Sequence, residues 1–240
     1  MAVTELINER AIVPGLAYRS AAPYELDAEA VGAVLGRLGV GAVADLRSPQ
    51  EQRLVPWQGL SGDGVRLLDV GIDASKDSNA FELQTAQDLG DMYLSWLDLK
   101  RETIARALVP LAGGTPTLFQ CSAGKDRTGV LAALVHLLAG HEHDLIVEDH
   151  AATTANMPAV KASMLSAYAS VVPAEALVRL EAANAPLIMQ APEDAMRTFI
   201  RGVEEEYGGV GGFLRSTHMS TGEMQAIRET VREAAEAAEA

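Results

Sequence analysis

The sequence predicts an α/β domain with a central, mostly parallel sheet, flanking helices and extra helices in the C-terminal half. Short apolar runs alternate with helical patterns over residues 1–140, the order that builds a parallel sheet covered by helices. Strand signals end there, and residues 141–240 are rich in alanine, glutamate, leucine and methionine. The sequence contains no internal repeat and no long linker. We therefore predict one domain over residues 1–240, with the helical part packed on the core.

Four apolar runs in the first half predict the strands of the sheet. They are residues 16–19, 40–46, 65–70 and 116–120. Each run is short and ends in a polar or glycine-containing segment, as expected for buried strands. The fourth run leads into a loop, residues 121–129, and then into an apolar helix from Val130 to Ala139. A strand followed by a glycine-containing loop and a helix is the order that a phosphate-binding loop requires.

Helical spacing of apolar residues predicts the helices between these strands. From Asp27 to Leu38 apolar side chains recur on one face, and Gly39 provides the C-terminal stop. Ser48, followed by proline, suits the cap and first turn of another helix. A long helical pattern spans residues 80–112. The tail begins with a cap at Ser220 and is predicted helical, with its last turns expected to be frayed and exposed.

The charge balance of the chain disfavours several classes of partner. Acidic residues number 33 against 19 basic ones, which gives a formal net charge of −14. Such a chain repels nucleic acid and anionic bilayers at long range, so we expect neither as a partner. The sequence contains no unbroken apolar stretch of about 18 residues, so we predict no membrane span. The N-terminus lacks the apolar region of a secretory signal, so we expect a cytoplasmic location. Secretion without a recognisable signal and the oligomeric state stay open.

The single cysteine, Cys121, limits the chemistry that the chain can perform. One thiol cannot form a disulfide within the chain or a zinc site built on several thiolates. His141 and His143 lie near acidic residues, but their spacing matches no standard zinc arrangement. We therefore expect no metal and no cofactor. Because a lone cysteine is commonly a small buried apolar residue, the neighbours of Cys121 must decide its role.

The neighbours of Cys121 form the sequence CSAGKDRTG, which suits the binding of a phosphate group. Five residues separate Cys121 from Arg127, so a curled loop can turn both side chains towards one anion. The small side chains of residues 122–124 allow backbone N–H groups to point inward, and the following helix adds the positive end of its dipole. A thiolate at this position can attack phosphorus, and water can then hydrolyse the phosphocysteine.

Each polar residue of the loop suits one step of that reaction. Arg127 offers a planar fork for two phosphate oxygens, and Thr128 can donate its hydroxyl to the sulfur. Lys125 would add positive charge at the rim, and Asp126 could protonate the leaving oxygen or orient water. The predicted catalytic residues are Cys121, Lys125, Asp126, Arg127 and Thr128. The predicted phosphate ligands are Ser122, Ala123, Gly124, Lys125, Asp126 and Arg127.

Charged residues near the second predicted strand are candidates for support of this loop. Asp45 and Arg47 lie at the end of the strand, the edge where ligands bind in open α/β sheets. Arg47 could contact the substrate or the loop, or form an ion pair with Asp45 or Glu51. We expect a structural role for Arg19 and surface exposure for Arg53.

Several aromatic and methionine side chains could line a pocket or lie in the hydrophobic core. Met92 and Trp96 share helical spacing with apolar neighbours, so we expect them in the core. Tyr93 and Trp57 could lie in the core or line a pocket.

The loop CSAGKDRTG resembles the signature of the protein tyrosine phosphatase superfamily, and AGKDRTG resembles its bacterial branch. Further similar segments are residues 17–20, 43–48 with Glu51, 144–149 and 206–214. The resemblance implies metal-independent phosphomonoester hydrolysis, with Cys121 as nucleophile and Arg127 as phosphate ligand. In this branch Lys125 and Asp126 take part directly, which makes Asp126 the first candidate for the general acid. The alternatives are Asp73, Asp77 and Asp91.

Two residues depart from the family pattern. Gln120 stands where the superfamily has histidine before the cysteine, and glutamine carries no charge, which leaves its effect on the thiol open. His150 follows Asp149 where the family has tyrosine, which puts substrate contacts near this helix in doubt.

The loop recognises only phosphate, so several functions remain open. The first is a protein tyrosine phosphatase, with dual or lipid specificity included, and the alternative is a phosphatase of a small metabolite such as a nucleotide or sugar phosphate. A non-catalytic phosphate-binding module is a further alternative, against which the presence of Cys121, Asp126 and Arg127 argues. Arsenate reduction resolved within the chain would need a second cysteine, and the chain has none.

Overall fold

The computed structural model describes residues 5–57, 64–73, 83–183 and 185–239. Within these ranges five strands form one sheet in the order β1-β2-β5-β3-β4. Strands β1 and β2 pair antiparallel, and the other neighbours pair parallel, so the predicted α/β class is confirmed. The strands are β1 Arg10–Val13, β2 Ala17–Ala21, β3 Ala42–Asp45, β4 Arg66–Asp69 and β5 Thr117–Cys121. Four of them match the predicted apolar runs, whereas β1 was not predicted.

Helices surround the sheet and make up the rest of the described chain. They are α1 Ala28–Leu38, α2 Pro49–Leu54, α3 Ala86–Leu99, α4 Arg101–Ala112, α5 Asp126–Ala139, α6 His143–Tyr168, α7 Ala174–Ala182, α8 Pro186–Met189, α9 Glu193–Tyr207, α10 Val210–Arg215 and α11 Thr221–Glu239. The prediction of a helical C-terminal half is therefore confirmed. Within the described ranges no helix is long and apolar enough to span a bilayer.

Three predicted helix boundaries were wrong. Residues 80–82 of the helical pattern predicted over 80–112 lie outside the described residues. The rest of the pattern contains two helices, because Lys100 leaves the helical conformation and lets α3 and α4 pack on different partners, α9 and α11. Helix α5 begins at Asp126 rather than Val130, so the second half of the loop is already helical. The tail is not frayed, since α11 continues to Glu239 and buries Val231 and Ala235.

The helix stop at Gly39 and the cap at Ser48 were predicted correctly, whereas the cap at Asp27 was not predicted. Asp27 caps α1 by accepting a hydrogen bond from the Ala30 N–H, and Gly39 ends the helix with a φ of 65°. Ser48 begins α2 with a capping box, in which its hydroxyl accepts from the Glu51 N–H while the Glu51 carboxylate accepts from the Ser48 N–H. This capping box places a carboxylate at the carboxyl end of β3.

The sheet separates two apolar clusters. Helix α5 is buried on almost all sides within the larger cluster, and α1 packs on the other face against Val43 and Leu118. Trp96 and Tyr93 lie in the larger cluster and Met92 packs against it, which confirms the core placement of Met92 and Trp96. Partly buried Trp57 packs against the smaller cluster, and Arg53 is exposed as predicted.

The parallel strands bring their carboxyl ends to one edge of the sheet. Ala21 on β2 lies beside Cys121 on β5, and Asp45 on β3 lies beside Gln120. The loop that follows β5 therefore leaves the sheet at the edge where open α/β sheets bind ligands. Helix α5 begins immediately after this loop, so its positive end faces the same edge.

Helices α3 and α9 approach each other closely because glycine lies at their contact. A Cβ atom added to Gly90 would lie 2.5 Å from the Ala195 carbonyl oxygen and 2.6 Å from the Thr198 Cβ. Neither neighbour is the end of a flexible side chain, so the helices would have to separate.

We expect Gly90→Ala to lower the free energy of unfolding by about 1–3 kcal/mol, because the added methyl overpacks the α3–α9 contact. Gly36→Ala is the matched control, since Gly36 is exposed on α1 and its Cβ would meet nothing within 4 Å. Alanine at that helix position should raise stability by about 0.5–1 kcal/mol. Urea denaturation of both variants measures the difference. Equal effects of the two substitutions would contradict the packing argument.

Candidate active site

Cys121 is the last residue of β5, and the loop that begins with it folds back against β2. The cysteine is buried, with 2% of its surface exposed. Gly124 has a φ of 66°, and a Cβ atom there would lie 2.4 Å from the Ser20 carbonyl oxygen. Both the backbone conformation and the space at this turn therefore require glycine.

Two side chains hold the outer side of this turn through the Gly124 carbonyl. The Arg19 Nη2 donates to this oxygen over 2.8 Å, and the Asn8 amide donates to it over 3.1 Å. Engaging the carbonyl from outside favours a loop whose amide groups face inward. Arg19 thus has the structural role that was expected, whereas Asn8 carries no motif and was missed.

Arg19 is fixed in turn by a buried carboxylate on α6. Its Nη1 donates to Asp149, and the Arg10 Nε donates to the same carboxylate over 2.5 Å. Burial alone would raise the pKa of Asp149, but the charges of Arg19 and Arg10 hold this pKa well below its usual range. The carboxylate therefore stays ionised and keeps both guanidinium groups in place. Residues 144–149 are the acidic segment that resembles the family pattern. The contact of Asp149 with Arg19 and Arg10 gives this segment a structural role in the site.

Arg127 is held by Glu51 in a two-pronged ion pair. The Arg127 Nη1 donates to Glu51 Oε2 over 2.6 Å, and Nη2 donates to Oε1 over 3.0 Å. Nη1 also donates to the carbonyl oxygens of Leu46, at 3.2 Å, and Ile72, at 3.1 Å. Such bidentate geometry fixes the plane of the guanidinium. The sequence offered Glu51 as a partner of Arg47, so its actual partner, Arg127, was not predicted.

The electrostatics around Glu51 keep this pair charged. Burial would raise the pKa of Glu51, but the hydrogen bonds and charge of Arg127, with the Ser122 hydroxyl and the Ser48 amide, lower it to about 2. Burial likewise disfavours the charged form of Arg127, whereas Glu51 and the nearby charge of Cys121 raise its pKa overall.

Lys125 does not lie at an exposed rim, as the sequence analysis expected. Only 3% of the residue is exposed. Its ammonium donates to the carbonyl oxygens of Leu187 at 2.6 Å, Ile188 at 3.1 Å and Gln190 at 3.2 Å. These carbonyls belong to the last turn of α8 and its end, where helix acceptors lack intrahelical donors. The ammonium group therefore joins the loop to α8.

Asp126 is the acidic group that the structure brings to the loop. Its side chain is 31% exposed, and its Oδ1 accepts a hydrogen bond of 2.5 Å from the Tyr93 hydroxyl and lies 3.5 Å from the Lys125 ammonium. Among the alternative acids, Asp91 is exposed on α3, and Asp77 lies outside the described residues. Asp73 follows the Ile72 carbonyl that binds Arg127, and it is half-buried.

Other predicted residues occupy the interior of the site. Ser122 donates to Glu51, and Ala123 packs against a small apolar cluster that includes Met157. Thr128 is fully buried, and its hydroxyl has no hydrogen-bond partner in the described part of the chain, so the predicted bond to the sulfur is not formed here. The hydroxyl therefore donates to no acceptor among the described residues.

Asp45 and Arg47 form a buried ion pair, one of the alternatives that the sequence left open. The Arg47 Nε lies 3.0 Å from Asp45 Oδ1, and Nη2 lies 2.8 Å from Oδ2. Arg47 also donates to the Val55 carbonyl and lies 5.7 Å above the ring of Tyr24. The pair supports the end of β3, and the Tyr24 ring lies beside it.

The two departures from the family pattern are both buried. The Gln120 amide and both ring nitrogens of His150 have no hydrogen-bond partner across the described ranges. Burial, with the charge of Arg19, lowers the pKa of His150 to about 3, so the ring is neutral at ordinary pH. His150 packs against Tyr93 with a centroid distance of 5.8 Å.

Comparison with known proteins agrees with this geometry. The sequence model of the tyrosine phosphatase family matches residues 3–233. The chain is 28% identical to the triple specificity protein phosphatase PtpB of Mycobacterium tuberculosis over 252 residues, which covers 91% of both proteins. It is 29% identical to a tyrosine-protein phosphatase of Nostoc commune over 121 residues, 49% of this chain and 41% of that protein.

Two similar solved structures have low sequence identity to this chain. One is TpbA of P. aeruginosa, with 24% identity, a TM-score of 0.37 and coverage of 60% of this chain and 73% of that chain. The other is the core catalytic domain of the PP-IP phosphatase SIW14 of S. cerevisiae in complex with citrate. Its identity is 20% and its TM-score is 0.39, and the match covers 62% of this chain and 76% of that chain.

We expect Gly124→Ala to weaken the binding of inorganic phosphate at least ~10-fold, because the methyl displaces the loop from Ser20. Gly140→Ala is the matched control: Gly140 also has a positive φ, of 82°, but its Cβ would meet nothing within 4 Å. The control should lose about 1 kcal/mol of stability and keep its phosphate affinity. Isothermal titration calorimetry measures the affinities. Unchanged affinity in Gly124→Ala would show that the turn does not shape the anion site.

Proposed function

Because this chain belongs to the tyrosine phosphatase family and is a cysteine-dependent phosphatase, we propose that it hydrolyses phosphomonoesters through a phosphocysteine intermediate on Cys121. One observation carries the proposal. Cys121 ends β5 directly before a tight glycine turn, and Arg127, at the end of the same loop, is held by Glu51 at 2.6 and 3.0 Å. A thiol, a fixed guanidinium and a helix N-terminus at one sheet edge suit a tetrahedral dianion.

In the proposed ground state the phosphate lies in the loop of residues 121–127. Backbone N–H groups of the loop and the first turn of α5 bind its oxygens, and Arg127 takes two of them with its planar fork. Glu51 keeps the guanidinium oriented before substrate arrives, which reduces the reorganisation needed in the transition state. The buried pair of Asp45 and Arg47 supports the neighbouring strand end without contacting the phosphate.

In the first proposed step the Cys121 thiolate attacks phosphorus, and the bond from phosphorus to the leaving oxygen breaks. Asp126 gives its proton to that oxygen, so the alcohol or phenol leaves uncharged. In the second step water attacks phosphorus, Asp126 takes a proton from the water, and the bond between sulfur and phosphorus breaks. Thr128 can assist by turning its hydroxyl towards the sulfur, which then leaves as a stabilised thiolate.

We propose phosphotyrosine in proteins as the main substrate, because aromatic side chains lie next to the site. The rings of Tyr24 and Tyr168 lie 5.7 Å apart, and the charges of Glu51 and Arg47 both act on the Tyr168 hydroxyl. An aromatic wall beside the guanidinium partner can pack against the ring of a phenyl phosphate. The names of the relatives, a triple specificity and a tyrosine-protein phosphatase, support the same class. The cytoplasmic location stays a prediction from the sequence.

We expect Asp126→Asn to lower kcat/KM for phenyl phosphate about 100-fold, because kcat/KM reports the first step, in which this poor leaving group needs a proton. For 4-nitrophenyl phosphate, whose phenolate leaves readily, the loss should be much smaller. Cys121→Ser should abolish turnover of both substrates. Asp91→Asn, which changes an exposed carboxylate of α3, should leave both rates unchanged. A loss confined to phenyl phosphate in Asp91→Asn rather than Asp126→Asn would transfer the general-acid role to Asp91.

A substrate panel tests the proposed specificity. We expect kcat/KM for a phosphotyrosine peptide to exceed that for a phosphoserine peptide, a nucleoside monophosphate and an inositol phosphate at least ~10-fold, since only the first places an aromatic ring against the tyrosine wall. Release of inorganic phosphate gives all four rates by one assay. A nucleotide or sugar phosphate as the best substrate would support a small-metabolite phosphatase instead.

A further inference from the structure

We infer that Tyr93 is a positioning residue of the reaction, holding the carboxyl group of Asp126 in the orientation that proton transfer requires. The inference rests on the proposed function, in which Asp126 is the general acid. It adds a residue from α3, a helix that contributes no residue to the loop motif.

The hydroxyl of Tyr93 contacts Asp126 through a short hydrogen bond. The phenol donates to Asp126 Oδ1 over 2.5 Å, within the range of charge-assisted hydrogen bonds. Helices α3 and α5 are in contact, and the charge environment of Tyr93 includes Cys121. The donor therefore acts on a side chain of the candidate active site and on no other described carboxylate.

The ring of Tyr93 has little freedom to move. It is completely buried and packs at centroid distances of 5.6 Å from Trp96, 5.8 Å from His150 and 6.5 Å from Phe199. Aromatic contacts on several sides fix both side-chain torsions of a tyrosine. The hydroxyl is therefore a fixed point to which the partly exposed carboxyl group of Asp126 is tied.

The contacts distinguish the two oxygens of Asp126. Oδ1 accepts from Tyr93 and lies 3.5 Å from the Lys125 ammonium. Within the described chain Oδ2 has no hydrogen bond, so it is the oxygen left to carry the transferable proton. Tying one oxygen to a rigid donor aims the other at the leaving group, and small errors of aim cost large factors in rate.

The phenol keeps its proton under working conditions, so it acts only as a donor. Burial raises the pKa of Tyr93 well above its ordinary value, and the charge of Asp126 raises it further. A neutral phenol next to a carboxyl group serves to orient it, and it does not compete for the role of proton donor to the substrate.

The test is Tyr93→Phe, which keeps the ring in the core and removes only the hydroxyl. We expect kcat/KM for phenyl phosphate to fall about 10-fold, as for the loss of one hydrogen bond to a charged group. The rate with 4-nitrophenyl phosphate should fall less than about threefold. The ratio of the two rates does not depend on the fraction of folded enzyme, so a loss of stability cannot imitate the result.

Two comparisons sharpen the test. Tyr207→Phe is the matched control, because it also removes a tyrosine hydroxyl that donates to a carboxylate. The Tyr207 hydroxyl donates to Asp98 through a hydrogen bond of 2.8 Å, and neither residue belongs to the loop. It should leave the ratio of the two rates unchanged. In the Asp126→Asn background, adding Tyr93→Phe should cause no further change in that ratio, because the group that Tyr93 positions is already disabled.

The outcomes separate the inference from the proposed function. If Asp126→Asn slows phenyl phosphate selectively but Tyr93→Phe slows both substrates equally or neither, the role of Tyr93 is overturned and the general acid stands. If Asp126→Asn has no selective effect, the assignment of the acid fails, and with it the role of Tyr93. If Tyr93→Phe acts selectively even on top of Asp126→Asn, Tyr93 acts through another group, which also overturns the inference.

Discussion

The ion pair between Glu51 and Arg127 is the interaction on which the site depends most. It joins the first turn of α2 to the first turn of α5, and the carbonyls of Leu46 and Ile72 complete the set of acceptors around the guanidinium. A buried guanidinium without a carboxylate would lose its orientation and leave a costly unpaired charge. Because Glu51 is already fixed by its capping box with Ser48, the pair carries the geometry of a helix start to the phosphate site.

A second buried carboxylate holds the opposite side of the loop. Asp149 pairs with Arg19, and Arg19 in turn binds the Gly124 carbonyl at the turn of the loop. Two arginines thus fix the loop, and each is paired with a carboxylate. The positive electrostatic potential in the loop therefore comes from the backbone amides, the N-terminus of α5 and the N–H groups of Arg127 that do not bind Glu51. This local arrangement explains how a chain with a net charge of −14 can still attract a phosphate dianion over short distances.

The acidic group of the loop is connected to the helical part of the fold on both sides. Tyr93 reaches Asp126 from α3, and Lys125 ties the same loop to the end of α8 through three carbonyl oxygens. Helix α3 is packed against α9 so closely that Gly90 is required at their contact. The C-terminal helices therefore determine the position of the catalytic loop as well as covering the sheet.

The sequence by itself determined the elements whose signals are local. The order of strand, loop and helix around Cys121, the helix stop at Gly39 and the cap at Ser48 follow from short patterns of residue type, because contacts within a few residues decide them. The alternation of strands and helices indicated the parallel sheet. The placement of Cys121 and Arg127 in one loop belongs to the same class. The roles of those residues could be named from the loop chemistry and the family resemblance before any contact was seen.

The tertiary structure alone decided which distant groups meet at the loop. The sequence offered Glu51 only as a partner of Arg47, whereas the structure pairs it with Arg127. Tyr93, 33 residues before Asp126, had no motif that separates a core tyrosine from a functional one. The strand β1, the break at Lys100 and the burial of Lys125 against α8 likewise arise from contacts between segments far apart in the chain. Such contacts depend on how helices and sheet pack in three dimensions, and side-chain type at one position carries little information about them.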